Sequence, residues 1–163
     1  MKVETTRLSN GITVATQRFD HVESVALGVW VRAGSRNELE PEHGIAHLLE
    51  HMAFKGTERR DAKTIVEEIE NVGGHLNAYT SREHTAYYAM VVKEHVGTAL
   101  EYMSDILLNG TFEPAAVERE RGVSQREVQE VQSQTEEVIF DVLHETAYQR
   151  TGLARTILGP QQN

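Results

Sequence analysis

The sequence predicts an α+β fold, a mixed, largely antiparallel sheet covered by helices in a two-layer sandwich. Three observations predict it. Apolar, β-branched segments with strand-like alternation fall in the first 92 residues. Helical periodicity dominates everything after residue 93. One helical pair interrupts the strands between residues 43 and 71.

The elements follow in order. Residues 3–18 read as a hairpin turning at Asn10-Gly11, with Ile12 and Val14 alternating with polar residues after it. Residues 22–32 form a second strand, broken by Ala33-Gly34-Ser35. A polar loop, 35–43, passes Pro41 into a helix over 43–54. Asp61 caps a helix over 62–71, which Gly73-Gly74 ends. Residues 75–80 and 85–92 pair as strands around Ser81-Arg82-Glu83-His84. Helices are expected over 94–109, 114–133 and 135–149, the second opened by Pro114. No repeat, low-complexity tract or linker divides the chain, so residues 1–163 read as a single domain. Leu158-Gly159-Pro160 offers no closing element, and the chain is expected to be the N-terminal part of a longer protein.

Composition narrows the chemistry. The 163 residues carry 16 Lys plus Arg against 25 Asp plus Glu, a formal charge of −9. That balance disfavours nucleic acid as a partner and suits a basic peptide. There is no cysteine, so disulfides, thiolate-bound zinc, iron–sulfur clusters and thiol nucleophiles are excluded. Any metal must be held by His, Asp and Glu. No apolar run is long enough to span a bilayer, and no signal peptide is visible at the start.

His47-Leu48-Leu49-Glu50-His51 is the most informative stretch. Two histidines four residues apart share one helix face and can grip one zinc ion, with Glu50 beside them to reach a water. This is the H-x-x-E-H order. At about 100° per residue, Ile45, Leu48, Leu49 and Met52 gather within about ±60° of one direction. His47, Glu50 and His51 share an arc of about 100° opposite, so the apolar side is expected to pack inward and the polar side to face a cleft. His43 points the same way if the helix starts that early. With 8 His in the chain, random placement yields the pattern with a probability of about 5%, so the motif carries weight but needs a third ligand. Glu120 and Glu127, seven apart, both flank the apolar stripe of Val117, Val128 and Val131, while Glu130 points further out. Geometry alone leaves Glu120 and Glu127 equal.

These residues resemble the pitrilysin/insulinase-type inverzincin metallopeptidases. Within that family the branch of processing-peptidase β subunits and their bacterial homologues is the most similar. The likeness extends through Ala33-Gly34-Ser35-Arg36, residues 47–57, 68–89 and 118–123, and Arg155 to Pro160. It implies His47, His51 and Glu127 as ligands of one Zn2+, Glu127 standing 76 positions after His51. It implies Glu50 as general base and Glu120 as a supporting acidic residue of the catalytic set, placed to hold a ligand or water. Asn77, Ala78 and Tyr79 are implied to hold substrate backbone along a strand edge. Phe54 is implied to line the pocket just after the scissile bond. Glu137 and Asp141, four apart on one helix face, are implied to clasp a substrate arginine.

The expected activity is therefore zinc-dependent endopeptidase cleavage of extended, basic, presequence-like peptides. A second homologous half or subunit, in a homo- or heterodimer or one longer chain, is expected to complete the cleft. A soluble protein of the bacterial cytoplasm or periplasm, or of the mitochondrial matrix, is expected. The alternatives are a non-catalytic structural or assembly subunit, which would be expected to lose a ligand or the base, and a peptide-binding module on the same fold.

Overall fold

A computed structural model describes residues 2–160. Strands β1 (Val3–Arg7) and β2 (Thr13–Gln17) form an antiparallel hairpin. Gly11 takes a left-handed φ of 93° at its turn, and Asn10 Oδ1 accepts the Ile12 N–H at 3.1 Å. β3 (Ser24–Val31), β4 (His75–Thr80) and β5 (Thr85–Val92) form a separate sheet in the order β3-β5-β4. Every pairing is antiparallel, so the mixed sheet expected from the sequence is two antiparallel ones. The hairpin stays apart because all its strand residues are exposed, and its apolar side chains face no core layer.

Helices α1 (Ile45–Ala53), α2 (Ala62–Asn71), α3 (Val96–Leu108), α4 (Pro114–Ser133) and α5 (Thr135–Ala147) follow the boundaries expected within two residues. Asp61 does cap α2, its carboxylate accepting from the Thr64 N–H at 2.8 Å. One face of the three-stranded sheet packs on α1, α2 and α3. Its core joins Ala53, Ile65, Ile69, Tyr87, Ala89, Val91, Ala99, Met103 and Ile106. Alternation turns Trp30, Tyr79, Tyr88 and Met90 to the exposed opposite face. Beside the core, Asp105 is buried and bound by Thr57, Arg60 and Asn109, which ties the loop before α2 to α3. No helix among the described residues is long and apolar enough to cross a membrane.

A set of close backbone contacts fixes the start of α1. Ser35 N–H and Arg36 N–H donate to the carbonyls of Ser81 and Arg82 at the tip of the β4–β5 hairpin. A Cβ on Gly34 would stand 2.3 Å from the Ser81 oxygen, so only glycine allows this approach. Glu38, buried, then reaches forward to the first turn of α1. Its Oε2 accepts from Gly44 N–H at 2.9 Å and its Oε1 from Ala46 N–H at 2.8 Å. These bonds satisfy amides that a helix start leaves unpaired and place negative charge at its positive end. Gly44 adopts φ 103°, which breaks the backbone before the helix. His43 therefore lies outside α1, and its Nε2 donates to the Thr156 carbonyl at 3.0 Å. Arg155 Nη1 bonds the Glu38 carbonyl, and Arg82 Nε donates to the Arg155 carbonyl at 3.1 Å. The stretch Arg155 to Pro160 is thus the clasp of this corner.

Candidate metal centre

α1 runs between α4 and β4, and its polar side faces them. The expected orientation is partly reversed. Met52 is buried, yet Ile45 and Leu49 are 44% and 45% exposed, while the side chains of His47 and His51 are only 12% and 17% exposed. The reason lies in the neighbours: α4 offers Glu120 and Glu127 to the histidine side, and polar groups that satisfy one another can be buried together.

The i, i+4 spacing brings the two imidazoles to 4.5 Å between ring centres. Glu127 Oε2 lies 3.6 Å from Nε2 of His47 and 3.6 Å from Nε2 of His51. Tetrahedral zinc with bonds of about 2.0–2.1 Å holds its ligand atoms roughly 3.3 Å apart, so this donor set fits one such ion. His47, His51 and Glu127 are the one group of three among the described residues whose donor atoms gather closely enough to hold a metal. Burial, then the charge of His51, lowers the His47 pKa to about 4, which leaves its imidazole in the neutral, ligating form. The Glu127 side chain, 38% exposed, opens the site toward solvent.

The remaining residues fall around this triad. Glu120 does not join it. The carboxylate is buried, with Oε2 at 3.3 Å from the His51 Nδ1 and Oε1 at 2.9 Å from Lys55 Nζ. Geometry thus separates two glutamates that helix spacing left equal. Glu50 Oε2 accepts from Thr80 Oγ1 at 2.5 Å, which joins the motif helix to the end of β4. Tyr87 lies near enough to Glu50 for that charge to add to burial in raising its phenol to about 12.

β4 carries Asn77, Ala78 and Tyr79 on an edge that pairs with no strand among the described residues. The Ala78 N–H points away from β5 and is taken by the Asn77 side-chain oxygen at 2.8 Å. Tyr79 is exposed and its hydroxyl meets His84 Nε2 at 3.1 Å. Phe54 ends α1, half-buried against the core, and lines a small pocket with Ile65, Val66, Ile69, His75 and Leu76. Glu137 and Asp141 share α5, but they are not a free pair of carboxylates. Arg82 Nη2 donates to Asp141 Oδ1 at 2.6 Å, because the hairpin tip that anchors Gly34 also carries Arg82 toward α5. Glu137 is exposed, with no ion pair among the described residues.

Sequence reasoning passed over Glu38, Lys55, Thr80 and Arg82. Lys55 stands one helical turn beyond His51, and Thr80 shares a strand face with Leu76 and Ala78, so spacing could have found both. Glu38 and Arg82 act through loops, where no periodicity marks a partner.

Known proteins resemble this chain in sequence and fold. Residues 13–161 match the family described as insulinase, peptidase family M16. The chain is 54% identical over 97% of its length to a probable mitochondrial-processing peptidase subunit beta of Arabidopsis thaliana, and covers 30% of that protein. It is 51% identical over 99% of its length to the mitochondrial-processing peptidase subunit beta of Rattus norvegicus, and covers 33% of it. The chain therefore spans about a third of the length of these relatives. The crystal structure of a protease from Helicobacter pylori superposes with a TM-score of 0.92 and 26% identity, over 99% of this chain and 39% of that one. With a family match across most of its length and the same fold in a solved protease, the chain belongs to the insulinase family of metallopeptidases, peptidase family M16.

Proposed function

We propose that this chain carries the metal half-site of a zinc endopeptidase, with His47, His51 and Glu127 as ligands and Glu50 as general base. The carrying observation is the single Glu127 oxygen at 3.6 Å from both imidazole Nε2 atoms, with Glu50 on the same helix face. Zinc held there would supply a Lewis acid that acidifies water and polarises a carbonyl.

The chain's own groups do the rest. Thr80 Oγ1 holds one Glu50 oxygen in place. Glu50 takes the proton of the attacking water and passes it to the departing amine. Glu120 keeps the His51 ring oriented from behind. The free edge of β4 takes the peptide as an added strand, and Asn77 yields the Ala78 N–H to it. Phe54 borders the site for the side chain after the cleaved bond. Glu137, with the second oxygen of Asp141, receives a basic side chain, in keeping with the −9 charge. The substrates are extended, Arg-containing, presequence-like peptides, like those of a processing peptidase. A homologous second half or subunit closes the cleft.

The test is zinc per chain after dialysis against trace-metal buffer, followed by hydrolysis of an Arg-containing peptide. Close to one zinc is expected, with a marked loss in Glu127→Gln. Glu50→Gln is expected to retain zinc and to abolish hydrolysis wherever the wild type shows it. A folded wild-type chain that retains no zinc overturns the proposal. Peptide binding without cleavage in both the wild type and Glu50→Gln would instead favour a binding module.

A further inference from the structure

Lys55 follows α1 at the i+4 position from His51, and its Nζ lies 2.9 Å from Glu120 Oε1. The second oxygen of the same carboxylate lies 3.3 Å from Nδ1 of His51. The other ring nitrogen of His51 faces Glu127 at 3.6 Å. A cation, a carboxylate and an imidazole thus form one line from the solvent-facing side to the metal half-site. Glu120 is buried, whereas the Lys55 side chain is 35% exposed.

We propose that Lys55 is a positioning residue of the metal centre, holding one oxygen of Glu120 so that the other orients His51. The inference rests on the proposed zinc site and deepens it. A carboxylate with both oxygens engaged stays behind the ring, fixes the Nδ1-protonated tautomer and leaves Nε2 as the lone-pair donor. With Lys55 removed, Glu120 has a free oxygen in a buried place, and rotation toward the site lets it compete with Glu127. Among the described residues the corresponding atom of the other ring, His47 Nδ1, is buried without a hydrogen-bond partner, so the alignment of the pair depends on His51.

The experiment measures zinc affinity by chelator competition and the visible spectrum of the cobalt(II)-loaded chain, with circular dichroism to verify folding. Lys55→Met keeps the apolar stem and removes the charge. It is expected to weaken zinc at least about tenfold and to alter the cobalt bands, as loss of an outer partner does at metal sites. Lys55→Arg is expected to restore both, which a purely structural role would not require. Glu120→Gln and the double variant close a cycle. If Lys55 acts through Glu120, adding Lys55→Met to Glu120→Gln weakens zinc no further. Wild-type affinity and an unchanged cobalt spectrum in Lys55→Met would overturn the proposal, as would losses that multiply in the double variant. Should Lys55→Met not fold, Lys55→Gln takes its place with the same expectations. A folded wild type that binds no zinc removes the underlying site, and with it this role; zinc binding indifferent to Lys55 removes only the role.

Discussion

Glu38→Ala tests whether α1, the helix of the proposed metal site, is placed by its capping carboxylate. The substitution removes the acceptors of the Gly44 and Ala46 amides, at 2.9 and 2.8 Å, in a position where Glu38 is only 7% exposed. Hydrogen bonds to a charged group contribute about 1.5–3 kcal/mol each, so two set an upper range of about 3–6 kcal/mol. Water entering the truncated site recovers part of this, and ordinary helix caps lose about 0.5–2 kcal/mol on replacement by alanine. A loss of about 3 kcal/mol is therefore expected, or a fall in Tm of roughly 6–12 °C for a chain of this size. Glu38→Gln keeps the shape but turns an NH2 group toward one amide, and about half the loss is expected. Urea unfolding in the presence of chelator measures the fold alone, and zinc titration then measures the site. Both variants should bind zinc less tightly, because His47 and His51 lie on the turns that Glu38 starts. A loss below about 1 kcal/mol with unchanged zinc affinity would refute the reasoning, and would show that the close backbone contacts suffice.

Two further predictions concern other parts of the fold. Burial would raise the Asp105 pKa, but hydrogen bonds from Asn109, Arg60 and Thr57, with the charge of Arg59, outweigh it and hold the carboxyl at about 2. A lowered folded-state pKa gives stability that is present above the ordinary value of 3.8 and lost as pH falls toward 2. The urea midpoint should fall across that window, and less steeply in Asp105→Asn; parallel slopes would contradict the assignment. Ala78→Pro removes an N–H that the β4–β5 ladder does not use. Binding of an extended peptide, followed by fluorescence anisotropy, should weaken while bound zinc stays at the wild-type level. Unchanged peptide affinity would argue against this edge as the docking strand.

Much of the fold was legible because its signals are local. Asn10-Gly11, Asp61 and Pro114 each mark a boundary by backbone chemistry that needs no distant partner. The strand alternation at 75–80 and 85–92 reads correctly because one sheet face is buried and the other open. Separation of the first hairpin from the main sheet was not legible, since pairing between distant strands leaves no trace in either. The site divides in the same way. His47, Glu50 and His51 are visible as a spacing on one helix. Helix spacing does not separate Glu120 from Glu127, because the difference is made by Lys55 and by the crossing of α1 on α4. Asp141 is the clearest case of a residue whose partner spacing does not reveal: Arg82 lies 59 positions away in the chain.

The orientation of α1 depends on distant partners in the same manner. An amphipathic helix ordinarily buries its apolar side, yet here the histidine side is the more enclosed and Ile45 and Leu49 face outward. Burying three polar side chains would cost stability without partners. Their partners come from two places, Glu120 and Glu127 from α4 and Thr80 from β4, while Glu38 binds backbone amides at the helix start. Of these, only Glu38 is near α1 in sequence. The helix is therefore held by polar bonds that report on the whole fold, and a metal bound between α1 and α4 would add its binding free energy to that same contact. Sequence changes that disturb the hairpin tip, the 155–160 clasp or the α4 crossing should reach the proposed metal ligands without touching them. Residues 33–36, 80–82 and 155–160 serve one end on this view: those segments hold the helix on which His47, Glu50 and His51 stand.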